Sequence, residues 1–195
     1  RLRIVDCEIE MNQKNASVLE FDEGYKPFLV ASSNEGVDLV VNAYSQLPET
    51  VIEGGDVLYS ARMPEGELWN VSKQDNDYVF KVFDAENPGV LQQVCVTNSQ
   101  FREWNVYVVD AEKDAPFEPL KYPLGPLLMY YLTVKNDAIM IHASGVSDNG
   151  IGRIFTGVSG KGKTTMAKLW FGAGADVLND DRLIVRKETD GYSIH

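Results

Sequence analysis

"GVSGKGKTT", residues Gly157 to Thr165, decides how this 195-residue chain is read. Gly157, Gly162, Lys163 and Thr164 satisfy the phosphate-loop pattern G-x-x-x-x-G-K-[ST] without a gap. Glycines let the backbone curl until successive amides converge on one anion, a nest that a Cβ would obstruct. A helix that follows directs its unpaired amides and the positive end of its dipole at the same point. On this reading the whole run contributes to a nucleotide site: Gly157, Val158, Ser159, Gly160, Lys161, Gly162, Lys163, Thr164 and Thr165. Lys163 reaches the terminal phosphates as a point charge, and the Thr164 hydroxyl is placed to ligate Mg²⁺. The competing reading is a glycine-rich turn that fits the pattern by chance. Context favours the phosphate site, because the loop falls between an expected strand and an expected helix.

Those flanks follow from local pattern. "IGRIFTG" (151–157) reads as a strand that runs directly into the loop. "TTMAKLWF" (164–171) reads as a short amphipathic helix with Met166, Leu169 and Trp170 on one face, stopped by Gly172. Upstream, "AIMIHASGV" (138–146) is expected to be one strand, with Met140, His142 and Ser144 on one side. "SDNG" (147–150) is a tight-turn signal that would fold this strand back on the next. Downstream, "ADVLNDDRLIVRK" starts a strand whose end or bulge carries Asp180 and Asp181. Acidic pairs are commonly solvated turns. These, however, follow an apolar "ADVL" only one helix and one strand beyond the loop. There, one carboxylate can support Mg²⁺ and the other can take a proton from an attacking hydroxyl. His142 is the third candidate, because a hairpin could bring it beside the phosphates.

Residues 1–115 carry no comparable chemistry. "DVLYSARM" (56–63) places Val57, Tyr59, Ala61 and Met63 on one face, and "DYVFKVF" and "WNVYVVD" are β-branched and aromatic. Polar turn clusters such as "KQDND" and "DAENPG" separate these runs, which argues for a mostly antiparallel β domain. "DAPFEPLKYPLGP" then holds four of the eight prolines, and residues 116–126 read as a linker through which no regular element runs. Residues 127–195 form the second domain. It opens with a helix that Pro126 suits at its first turn and that carries Leu127, Leu128, Tyr131 and Val134.

Composition bounds the partners. The net charge is −11, and the first 126 residues hold 10 basic against 22 acidic side chains. Such a surplus repels nucleic acid and anionic membrane, so neither is an expected partner. The sequence has no run of eighteen apolar residues that could span a bilayer. Cys7 and Cys95 lie in strand-like stretches and read as buried free thiols, which points to a cytoplasmic location.

The stretch "IMIHASGVSDNGIGRIFTGVSGKGKTTMAKLWFGAGADVLNDDRLIV", about a quarter of the chain, resembles the nucleotide-binding core of HPr kinase/phosphorylase and phosphoenolpyruvate carboxykinase. That group shares a His-containing strand, a short hairpin, a Ser-Gly-x-Gly-Lys-[Ser/Thr] loop, a short helix and a strand ending in an Asp pair. The resemblance implies an α/β fold for the second domain, α+β for the whole chain, and a core that continues beyond His195. It implies ATP and Mg²⁺ (with Mn²⁺ as the carboxykinase variant) bound by Lys163, Thr164 and Asp180. Asp181 matches the carboxylate that deprotonates an acceptor serine. His142 matches a residue near the transferred phosphate in one branch and a metal ligand in the other. The expected activity is HPr-kinase-like phosphoryl transfer to a hydroxyl, on a protein serine or a small molecule. The alternatives are carboxykinase chemistry on an oxoacid and a non-catalytic ATP-sensing module. HPr kinases assemble into hexamers, so a homo-oligomer is a further implication.

Overall fold

Runs of β-branched and aromatic residues make this chain strand-rich, a mixed α/β structure with one large mixed sheet. The computed structural model describes residues 1–15, 18–31, 36–52, 55–109 and 116–195. It divides into two units, Arg1–Pro126 and Leu127–His195. The expected domain end at residue 115 lies outside the described residues.

In the first unit, eight strands form one sheet. They are β1 (Leu2–Ile4), β2 (Cys7–Gln13), β4 (Leu39–Tyr44), β5 (Asp56–Met63), β6 (Gly66–Gln74), β7 (Asp77–Phe83), β8 (Leu91–Asn98) and β9 (Glu103–Val108), in the spatial order β1-β2-β4-β9-β8-β7-β6-β5. A parallel pair of β3 (Val18–Leu19) and β10 (Pro116–Phe117), a 3-10 helix (Glu23–Phe28) and α1 (Glu49–Ile52) accompany it. The consecutive strands β5 to β9 form an antiparallel meander, as the turn clusters predict. The sheet as a whole is nevertheless mixed, because β4 pairs parallel with both β2 and β9. Parallel neighbours need long connections rather than hairpins. The pairing of β4 is therefore set by distant segments and leaves no local mark.

Alternation fixes the core face of this sheet. Ile9, Val41, Ala43, Trp104 and Val106 are buried, and Phe80 stacks on Trp104 with ring centroids 5.4 Å apart. The opposite face of the parallel strands carries a row of amides in register. Asn12 donates to Asn42 at 3.3 Å, and Asn42 donates to Asn105 at 3.0 Å. β5 departs from its expected alternation. It lies at the edge of the sheet, two register irregularities interrupt it, and Val57, Leu58 and Tyr59 are all exposed.

The proline-rich stretch is corrected as well. Residues 116–126 are not free of regular structure: they begin in β10, and α2 (Leu124–Lys135) starts two residues before Pro126. Phe117, Leu120 and Leu124 are buried, so the stretch is held by packing. Of the apolar residues expected on α2, Leu127 and Leu128 are buried, whereas Val134 is exposed.

The second unit contains two three-stranded sheets. One has the order β13-β12-β14, from β12 (Ser144–Asp148), β13 (Ile151–Phe155) and β14 (Asp176–Asn179). The other has the order β11-β15-β16, from β11 (Ala138–His142), β15 (Arg182–Glu188) and β16 (Gly191–Ile194). The single strand expected over 138–146 is thus two strands in different sheets, broken at Ala143. Ala143 donates its amide to the Asp181 carbonyl at 3.1 Å, a tertiary contact that interrupts the run. The β12–β13 hairpin turns through Asn149 (φ 50°) and Gly150 (φ 77°), the left-handed pair of a type I′ turn. α3 (Lys163–Gly172) covers the first sheet through Ala167 and Trp170, which pack with Val146, Phe155 and Ala175. Trp170 therefore lies on the inner face as expected, but Met166 and Leu169 are exposed and Ala167 takes their place. Where the two sheets meet, Gly145 of β12 lies against Leu183 of β15. A Cβ there would sit 2.7 Å from a leucine methyl, so only glycine permits this approach.

Among the described residues, no helix is long and apolar enough to cross a membrane. Both cysteines are free thiols, Cys95 buried and Cys7 half-buried.

Candidate functional site

The glycine loop leaves β13 at Phe155 and enters α3 at Lys163, between the strand and helix that its sequence requires. Gly160 (φ 79°) and Gly162 (φ 88°) are left-handed, a conformation that costs most other residues. A Cβ on Gly160 would meet nothing within 4 Å, so open space faces it and backbone conformation alone demands the glycine. Gly162 caps α3, and the first helical bond runs from the Met166 amide to the Gly162 carbonyl at 2.9 Å. The amides of Lys163, Thr164 and Thr165 precede that bond and have no intrahelical acceptor. Among the described residues, no hydrogen bond uses the amides of Ser159, Gly160 or Gly162. The Lys163 ammonium folds back over the loop and donates to the Gly157 carbonyl at 3.0 Å. Three donors on an ammonium leave two for another partner.

The acidic pair occupies the two-residue turn between β14 and β15, rather than a strand end or a bulge. Asn179 builds that turn: its side-chain oxygen accepts from the amides of Asp181 (2.9 Å) and Arg182 (3.2 Å), an Asx-type arrangement. The two carboxylates then go separate ways. Asp180 accepts a hydrogen bond from the Ser144 hydroxyl, and the Thr164 hydroxyl lies close enough to favour its charged form. The Ser144 bond does most to hold its carboxyl below the usual carboxylate range. Thr164 and the positive charges of Lys168 and Lys163 add to it against a desolvation penalty. Asp181 contacts His142 Nδ1 at 3.1 Å and Arg182 Nε at 3.4 Å. The His142 and Asp181 side chains are 55% and 64% exposed, so a substrate can reach both.

His142 comes to the acids by a different route from the one its sequence suggests. It sits on β11, paired across to Arg182 of β15, and not on the hairpin that feeds the loop. The structure therefore links Lys163, Thr164 and Asp180 in one group, and His142, Asp181 and Arg182 in a second group one residue away. Sequence reasoning missed three contributors. Asn179 could have been found as an Asx-turn residue directly before the acids. Ser144 had a weaker signal, a hydroxyl beside small and apolar neighbours, and Arg182 had none beyond its adjacency.

The donor set suits a hard divalent cation that keeps water and phosphate ligands. Thr164 and Asp180 offer one hydroxyl and one ionised carboxylate, and Mg²⁺ is commonly held by one or two carboxylates together with substrate phosphates. No cluster of three or more His, Cys, Asp or Glu side chains able to hold a metal occurs among the described residues, so a self-sufficient transition-metal cage is not indicated there. No family model, curated protein or solved structure matches this chain.

Proposed function

We propose that the loop at 157–165 binds the phosphates of ATP with Mg²⁺, and that this unit catalyses phosphoryl transfer to a hydroxyl acceptor, in the manner of the HPr-kinase type. The observation that carries the reading is the Lys163 ammonium lying across the glycine loop on the Gly157 carbonyl. Lys163 and the loop's Thr164 hydroxyl are both close enough to Asp180 to favour its charged form.

Free amides of the loop and of the first turn of α3 would take the phosphate oxygens, and Lys163 would add a charge-assisted bond. Mg²⁺, held by Thr164 and Asp180, would offset the negative charge of the phosphates. Asp181 is the proton acceptor. It takes the acceptor hydroxyl's proton as the new oxygen–phosphorus bond forms and the bond to the ADP oxygen breaks. His142 and Arg182 orient that carboxylate from two sides. The His142 and Asp181 side chains are both accessible, as a base must be for a bulky acceptor such as a protein serine.

Two variants separate binding from chemistry. Lys163→Ala removes a charge-assisted contact of about 1.5–3 kcal/mol, so ATP affinity in titration calorimetry falls by roughly 10- to 100-fold and turnover falls with it. Asp181→Asn keeps ATP binding and lowers transfer by about 10²- to 10⁴-fold. Unchanged turnover in Asp181→Asn eliminates this mechanism. ATP binding without transfer to any protein or small-molecule hydroxyl would assign the loop to a nucleotide-sensing module instead.

A further inference from the structure

The side chain that decides where Asp180 points lies beneath the site. Ser144 is fully buried at the start of β12, and its hydroxyl donates to Asp180 Oδ1. Asp180 itself stands exposed in a two-residue turn, with the Lys163 and Lys168 ammonium groups close enough to act on its charge. An exposed aspartate in that setting has two competing ways to satisfy its charge. It can swing toward the lysines, or it can stay beside the Thr164 hydroxyl. A buried donor anchored in a strand settles the choice, because it cannot follow the carboxylate outward. The main chain of Ser144 is pinned in turn by its register opposite Phe155 on β13, the strand that leads into the glycine loop.

We infer that Ser144 is a positioning residue for divalent-cation binding, holding Asp180 at the turn in a fixed orientation through their hydrogen bond. The inference rests on the proposed Mg²⁺–ATP site and adds a member to it. Partners outside a metal's ligand shell commonly control its affinity by 10- to 100-fold, because they fix ligand direction before the metal arrives.

The test titrates Mg²⁺ into the full chain with a fluorescent ATP analogue, and repeats the binding in EDTA. Ser144→Ala is expected to raise the Mg²⁺ concentration for half-saturation by about tenfold or more while leaving the metal-free affinity unchanged. Ser144→Thr, which keeps the hydroxyl, restores the wild-type curve. In Asp180→Asn the Ser144→Ala change has no further effect, because both act through one carboxylate. A purely structural serine would instead lower the melting temperature and leave the Mg²⁺ curve in place, and that result overturns the inference. Additive effects in the double variant overturn it too. If Ser144→Ala does not fold, Ser144→Cys, with similar size and only a weak donor, carries the same comparison. Failure of the wild-type protein to bind the analogue at all would remove the phosphate site and this inference together. A wild-type protein that binds normally, with an unshifted Ser144→Ala curve, removes only the inference.

Discussion

Replacing Gly145 by alanine tests the contact on which the second unit closes. The added Cβ would lie 2.7 and 2.8 Å from the two Leu183 methyls. Carbon atoms settle at about 3.5–4.0 Å, so roughly 1 Å of displacement is needed. Leu183 is fully buried, so its displacement must be absorbed by the residues packed around it. Overpacking of this kind costs about 1–3 kcal/mol. In a unit of this size each kcal/mol corresponds to about 4–8 °C in melting temperature. Chemical denaturation followed by far-UV circular dichroism gives the free energy, and a thermal scan gives the shift. The same displacement bears on the site, because Leu183 lies two residues from Asp181, so phosphoryl transfer should fall even where the variant is folded. A double-variant cycle isolates the cause. Leu183→Ala alone costs about 2–5 kcal/mol through its cavity, and adding Gly145→Ala to it should cost less than Gly145→Ala does in the wild type. A Gly145→Ala protein within about 0.5 kcal/mol of wild type, or a strictly additive cycle, would refute this account of the packing.

Two other outcomes follow from the structure. Asn179→Ala removes the acceptor that shapes the acid turn, and should cost about 1 kcal/mol of stability together with a clear loss of transfer at saturating ATP, read in a coupled kinase assay. Glu118 has its carboxyl raised, first by burial and then by the charges of Asp22 and Glu20, so its stabilising contribution is complete below the ordinary value near 4.5 and is lost as pH rises through the raised folded value. Glu118→Gln should therefore gain stability relative to wild type at pH 7 and lose that gain at pH 4 in urea melts; equal pH slopes for the two proteins would refute this.

The glycine loop was legible because everything that defines it is local. Two left-handed glycines within nine residues, set between a strand and a helix, specify the bend. The acid turn was half legible: the pair was visible, but its location between two sheets was not. The division of 138–146 into two strands could not be read from its apolar run. It depends on Ala143 bonding to Asp181, 38 positions later in the chain. His142 reached the acids for the same kind of reason, through pairing with β15 rather than through the hairpin. In the first unit the antiparallel meander followed from turn residues, while the parallel pairings of β4 joined segments far apart in sequence. Local pattern carried the elements and the loop. Long-range pairing decided which side chains share the site.

Asp180 and Asp181 span the seam where the chain leaves β14 of one sheet for β15 of the other. Their spacing is therefore a property of two layers meeting, with no slack residue to absorb a mismatch. On the proposed mechanism, the carboxylate that would face Mg²⁺ belongs to one layer and the carboxylate that would take the proton belongs to the other, and a single peptide bond joins them.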